Sequence, residues 1–358
     1  MSLSIGIVGL PNVGKSTLFN ALTNNNILAA NYPFATIEPN TGIVPVPDNR
    51  LNVLQKIYNA EKVIPATVTF VDIAGLVAGA SQGEGLGNKF LANIRQCDAI
   101  IHVVRAFENN DIVHVNNRVD PADDIETINT ELILADIQTI ETRINKLSKE
   151  AKANPSARSD LDHLNYLLDQ LRSGKTITHT DSVNYETVAD LHLLTAKPII
   201  YVFNFDENDL KDSNKQAELR GLVSPSPALF IDAQLEQDLN NLDAEEIAQM
   251  LELYGVEETG LARLIQEAYR VLGLQSYLTA GAKEVRAWTI RAGSTAPQAA
   301  GVIHTDFERG FIAAQVVSYN DLVGAGSELT AKNAGKIRTE GKDYIMQPDD
   351  IVEFRFNV

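Results

Sequence analysis

The chain has 358 residues, 44% hydrophobic and 22% charged, enough for a large core and two or three domains. A net charge of −17 argues against a protein that is basic throughout, and no apolar run approaches the ~18–20 residues of a membrane span. Cys97 stands alone, so disulfides play no part; with no secretory leader at the start, a reducing cytoplasm is the expected compartment.

Ile5, Ile7 and Val8 form a short apolar run of the kind a buried parallel strand requires. Gly9 to Ser16 then spells G-x-x-x-x-G-K-[ST], and an amphipathic run (Leu18, Phe19, Leu22) follows. In that context the motif is a phosphate-binding loop. Gly9 and Gly14 let the backbone wrap close to a phosphate, and successive N–H groups point inward. Lys15 supplies a point charge for the β- and γ-phosphates, and the Ser16 hydroxyl is placed to ligate Mg²⁺.

Residues 29–48 hold Pro33, Pro39, Pro45, Pro47 and Gly42 and read as a long loop. Thr36 within it is the favoured second hydroxyl on Mg²⁺, with Thr41 as competitor. Thr67 to Val71 reads as a strand ending at Asp72, where Asp72-Ile73-Ala74-Gly75 matches D-x-x-G. Asp72 would hold Mg²⁺ through water and the Gly75 N–H would sense a γ-phosphate. The next residue, Leu76, cannot orient a water as a glutamine would, so hydrolysis is expected to be slow. Ala99 to Val104 is another buried strand, with His102 inside it as a structural residue. His114, in the segment that follows, is a candidate to position the water or else a solvated loop histidine.

Over 121–175 the pattern changes. Ile133, Ile137, Ile140, Ile144 and Leu147, then Leu161, Leu164, Leu168 and Leu171, trace two narrow apolar seams separated by Asn154-Pro155-Ser156. This predicts an inserted antiparallel helical hairpin. The sheet resumes with 197–203 and ends at Asn204-Phe205-Asp206-Glu207, where a guanine site would carry N-K-x-D. Phe205 and Glu207 replace the lysine and aspartate, which weakens guanine preference and leaves backbone groups near Phe205 to read an adenine amine. After a last strand at 228–231, the Ala233 N–H is the remaining candidate base contact. Helices are expected at about 243–254 and 260–272, then a separate α+β domain with strands at 285–290, 314–318 and 351–356. Residues 275–358 carry nine Lys/Arg against ten Asp/Glu, so this part would repel nucleic acid least. The fold expected is α/β: a P-loop parallel sheet formed by 1–120 and 176–274, a coiled-coil hairpin at 121–175, and the C-terminal α+β domain at 275–358.

With these segments assembled, the chain resembles the YchF/Obg-like ATPase family along nearly its whole length. The resemblance rests on Gly9–Thr17, on Asn31 to Asn40, on Asp72 to Val77 with Gly85-Leu86-Gly87, on the N-x-x-E of Asn204 and Glu207, and on His304 to Glu308 and Gly341 to Tyr344. It implies an Obg-type nucleotide domain, a coiled coil and a β-grasp TGS domain. It also implies hydrolysis of ATP, and of GTP less well, with the phosphates on Asn12, Val13, Gly14, Lys15, Ser16 and Thr17, Mg²⁺ on Ser16 and Thr36, and the Phe205 backbone at the base. The family is linked to ribosomes, translation and stress, which makes ATP/ADP and the ribosome or a subunit the expected partners, with RNA a further candidate and a monomer the expected state. As in related switches without the glutamine, Asn12 is a candidate ligand for K⁺. The competing readings are a GTPase assembly factor and a binding module with a purely structural nucleotide.

Overall fold

The computed structural model describes residues 3–24, 40–73, 86–109, 118–152, 154–240, 242–254, 256 and 258–357. In chain order the elements are β1 (Ser4–Val8), α1 (Lys15–Asn24), β2 (Thr41–Pro45), α2 (Asn49–Tyr58), β3 (Lys62–Ile64), β4 (Thr67–Asp72), α3 (Leu86–Gln96), β5 (Ala99–Arg105), α4 (Pro121–Glu150) and α5 (Pro155–Arg172). Next come α6 (Tyr185–Val188), β6 (Ile199–Asn204), α7 (Ser213–Val223), β7 (Ala228–Ile231), α8 (Ala233–Leu239), α9 (Ala244–Tyr254) and α10 (Gly260–Val271). The chain ends with β8 (Leu274–Ala280), β9 (Glu284–Arg291), α11 (Ala296–Ile303), α12 (Thr305–Arg309), β10 (Phe311–Ser318), α13 (Tyr319–Ala325), α14 (Glu328–Asn333), β11 (Arg338–Glu340) and β12 (Asp350–Phe356). No helix among the described residues is long and apolar enough to cross a membrane.

Packing divides the chain into two units, 1–43 with 69–264 and 44–68 with 265–358. The first is built on a sheet of order β2-β4-β1-β5-β6-β7, with every pairing from β4 to β7 parallel. Its central strands are buried on both faces, which is why β5 and β6 read as unbroken apolar runs. Strand order reverses at β1, so the loops at the carboxyl ends of β1, β5 and β6 converge there.

The hairpin lies within the first unit. Helix α4 begins at the N-cap Asp120, whose carboxylate accepts from Asp123 N, and α5 begins at the N-cap Asn154. Ile133, Ile140, Leu147, Leu164, Leu168 and Leu171 are buried as the heptad spacing requires, and Leu167 joins them. Ile137, Ile144 and Leu161 pack at the edge of the same cluster. The Arg172 guanidinium meets Glu141 at 2.8 Å across the pair, the register of antiparallel helices. At its base the hairpin is pinned by Asp136, fully buried, whose carboxylate accepts from Leu194 N at 2.9 Å and from Thr195 N and Oγ1 at 2.8 Å each.

The second unit is a mixed sheet of order β11-β10-β12-β8-β9-β3. Its first and last long strands, β8 and β12, pair in parallel at the centre, and antiparallel partners flank them. Ala296, Ala299 and Ala300 on α11 pack into the same core as Tyr277, Phe311, Ala314 and Val316, the layout of a β-grasp.

Two sequence expectations change. The loop expected over 29–48 includes a strand, since Thr41–Pro45 joins the first sheet beside β4. Gly42 permits it: a Cβ there would sit 2.3 Å from Thr23 Cγ2. Pro45 closes an edge strand, where a missing N–H is tolerated. Residues 44–68, read as part of the nucleotide domain, pack with the C-terminal unit. Helix α2, capped by Asp48, buries Leu51 and Leu54, and β3 pairs with β9. Arg50 binds Asp48 at 2.7 Å and also Pro348 O and Asp349, tying the excursion to the last turn before β12.

Replacing Asp136 with Ala would leave two buried N–H groups and a hydroxyl without an acceptor. Unfolding in urea is expected to show a loss of about 2–4 kcal/mol; an unchanged midpoint would contradict the pinning role.

Candidate functional site

The phosphate loop follows β1 and leads into α1. Gly9 has φ +154°, and a Cβ there would lie 2.4 Å from Val103 O in β5. Asn12, at φ 61°, turns the chain through the left-handed region that asparagine tolerates. Gly14, at φ +99°, leaves room for a side chain from elsewhere: a Cβ would meet Asn204 Nδ2 at 2.2 Å. That space is filled for a reason. The Asn204 amide, buried at the end of β6, donates to Val13 O at 3.0 Å and accepts from Ala233 N at 3.0 Å. One side chain thus holds the phosphate loop to the start of α8.

Lys15 is buried, and its ammonium donates to Leu10 O at 2.6 Å. Burial lowers its pKa to about 8, against the raising influence of Asp72. The Asp72 carboxyl is pushed up by burial and drawn back by Lys15. Behind them His102 is fully enclosed in β5, and burial, reinforced by the Lys15 charge, lowers its pKa to about 3. It is therefore a neutral core residue beside Tyr201, as expected for the strand.

A cavity of about 510 Å³ gathers these elements. The loop contributes Asn12, Gly14, Lys15, Ser16 and Thr17; the far wall is Asn204, Phe205, Asp206, Asp232, Ala233 and Gln234. Sequence reading missed Phe107 and Asn109, which also line it. Arg105, buried at the end of β5, positions them: its Nε donates to Phe107 O at 3.2 Å and its guanidinium to Asn109 O at 3.0 Å. Only their position just after a buried strand would have pointed to them.

The far wall, where a base contact was expected, differs from the sequence reading in three ways. The Phe205 N–H donates to Ile231 O at 2.9 Å, so its remaining backbone group is the carbonyl. The Ala233 N–H, expected to reach the base, is spent on Asn204. Glu207 is exposed and outside the cavity lining, whereas Asp206 lines it and caps the next turn through Asn208 N and Asp209 N. Asp232 caps α8 through Gln234 N and Leu235 N, and burial pushes its carboxyl up. Thr41 is the first residue of β2. Thr36, Gly75, Leu76 and His114 lie outside the described residues.

No group of three or more His, Cys, Asp or Glu that could hold a metal occurs among the described residues. The donor set suits a different arrangement. The exposed Ser16 hydroxyl lines the cavity and the Asp72 carboxylate stands near Lys15, both oxygen donors of the type a hard divalent cation takes.

Against known proteins, residues 4–134 match the family model described as "50S ribosome-binding GTPase". Residues 274–357 match the YchF GTPase C-terminal family, described as "Protein of unknown function (DUF933)". The chain is 53% identical over 363 residues to the "Ribosome-binding ATPase YchF" of Haemophilus ducreyi, with both chains covered in full. It belongs to the YchF family. The Bacillus subtilis YchF is 50% identical, again over the full length of both. Among solved structures, the Schizosaccharomyces pombe "YchF GTPase" superposes with a TM-score of 0.88 at 38% identity, covering 99% of this chain and 98% of that one. The YchF fold therefore extends through both units.

The Lys15 pKa of about 8 gives a solution test. A bound triphosphate favours the charged lysine, so nucleotide binding should take up more protons at pH 8.5 than at pH 7. Calorimetry in buffers of different ionisation enthalpy measures this; equal uptake at both pH values would contradict a lowered Lys15 pKa.

Proposed function

We propose that this chain is a slow, Mg²⁺-dependent P-loop ATPase that associates with the ribosome and works as a nucleotide-controlled switch in the cytoplasm. The observation that carries the reading is the convergence of Lys15, Ser16 and Thr17 with Asn204, Phe205 and Asp206 on one cavity. Full-length identity of about half to proteins named ribosome-binding ATPases supports the activity and the partner. A stress-linked role follows from the family resemblance.

In this reading the N–H groups of Asn12 to Thr17 and the end of α1 cradle the phosphates. Lys15 exchanges Leu10 O for phosphate oxygens. Ser16 and Thr36, with Asp72 through water, would hold Mg²⁺, which would supply positive charge beside the phosphates. Gly75 senses the γ-phosphate and His114 positions the water that Leu76 leaves unaligned. Asn12 would be the ligand for K⁺, as the likeness to related switches without the glutamine implies. Each of these assignments concerns orientation and charge, which is where phosphoryl transfer is accelerated.

Adenine preference is supported by the base end. An exposed Glu207 holds no carboxylate against a guanine edge, and the Phe205 carbonyl can accept from an exocyclic amine. A GTPase is the second reading, because the S. pombe relative and the matched N-terminal family both carry that name.

Competition of ATP and GTP against a fluorescent adenine nucleotide decides between them. ATP is expected to displace the probe at lower concentration than GTP, and Lys15→Ala to abolish phosphate release. GTP binding ten-fold tighter than ATP would overturn the ATPase reading.

A further inference from the structure

We propose that a cavity in the second unit, opened between its two central strands, binds an aliphatic di- or polyamine. The site is separate from the nucleotide cavity, and every residue lining it belongs to the second unit. It measures about 530 Å³, within the range of about 300–1,000 Å³ that small-molecule sites occupy. Strands β8 and β12 pair at Leu278 and Ile351. The cavity opens just beyond that pair, lined by Thr279 and Ala280 on one strand and Val352, Glu353 and Phe354 on the other. Each strand is held on its far edge, Ala280 by Val285 of β9 and Val352 to Phe354 by β10, so the slot is built into the sheet.

The lining combines an apolar floor with separated carboxylates. Ile303, Phe307, Val317, Ile337 and Phe354 supply surface for methylene groups. Glu284, Glu328 and Glu353 line the same cavity against one ammonium, Lys283, so three negative charges and one positive leave a balance of −2. None of the three carboxylates forms an ion pair among the described residues. Glu328 accepts from the Tyr58 hydroxyl at 3.2 Å. Burial, with the charges of Glu328 and Glu353, raises the Tyr58 pKa, so both carboxylates act on one phenol that keeps its proton.

These carboxylates do not gather on a point: no group of three or more His, Cys, Asp or Glu that could hold a metal occurs among the described residues. Their placement suits cationic centres set apart along a chain, with the chain itself on the apolar floor. Each ammonium brings three N–H donors and no acceptor, the complement of a carboxylate. Neighbouring cations are turned elsewhere. Arg286 stacks over the Trp288 ring at 3.8 Å, Lys336 pairs with Asp321 at 3.1 Å, and Arg338 pairs with Glu340 at 3.6 Å. Lys62 stands beside Glu284 in the β3–β9 register without an ion pair to it. A phosphate ligand would meet like charge here, the reverse of the nucleotide cavity with its Lys15.

The test measures spermidine binding to the full chain by calorimetry at about 0.15 M salt, where charges more than about 8 Å from the ligand are largely screened. The parent is compared with the double variant Glu328→Gln, Glu353→Gln. A control, Asp162→Asn with Asp169→Asn, removes the same charge from exposed positions of α5. The parent is expected to bind spermidine, the glutamine variant to lose about ten-fold in affinity, and the control to match the parent. Mg²⁺ at the concentration of spermidine should leave it bound. Thermal unfolding and ATP turnover without amine should be the same in all three proteins. Equal affinity in the parent and the glutamine variant would overturn the proposal, as would an equal loss in the control or full displacement by Mg²⁺. So would a parent that takes no spermidine but binds a lysine-rich peptide through Glu328 and Glu353; that result assigns the slot to a basic chain segment.

Discussion

The nucleotide end of the first unit depends on one buried primary amide. Asn204 sits where β6 ends, and its two hydrogen bonds join backbone groups of distant segments, Val13 and Ala233. Both bonds lie in a site shielded from water, where an unmade bond would cost about 1–3 kcal/mol. Gly14 is a consequence: its missing Cβ leaves the space the amide occupies. The loop's shape is thus set from outside as much as by its own glycines, and the far wall of the cavity is fixed to the phosphate loop by a single side chain.

The parallel sheet makes that bridge possible. Because β1, β5 and β6 run in the same direction, their carboxyl ends deliver Gly9, Arg105 and Asn204 to one edge. Arg105 then holds Phe107 and Asn109 against the cavity as Asn204 holds the loop. Burial on both faces also explains the electrostatics. Lys15 is easier to discharge than an exposed lysine, and Asp72 is the neighbouring charge that opposes this. A triphosphate would supply the stronger partner the lysine lacks. The hairpin extends this economy of charge: its base is pinned by Asp136, its inner half is acidic, and its outer half carries the cations.

Local signals were legible in the sequence and long-range ones were not. The phosphate loop, the strand ending at Asp72 and the seams of the hairpin each announce themselves within about 15 residues, because glycine placement, β-branching and heptad spacing are local properties. Strand β2 was hidden by Pro45 and Gly42, which mark a loop unless a neighbouring edge and Thr23 are known to be there. The assignment of 44–68 to the second unit depends on β3 pairing with a strand more than 200 residues away. Sequence grouped Asn204, Phe205 and Ala233, and all three line the one cavity. It did not show that the Ala233 N–H serves Asn204 or that the Phe205 N–H serves Ile231. Motif logic assigns roles to residue types, whereas hydrogen-bond partners are decided by which strand ends meet.

The central claim is that Asn204 shapes the phosphate loop and does not itself read the base. The most direct measurement is the affinity of Asn204→Ala for ATP and for GTP beside the parent chain. A clamp on the loop predicts that both affinities fall together by ten-fold or more, with their ratio preserved. An unchanged affinity for both, or the loss of one purine alone, would contradict it.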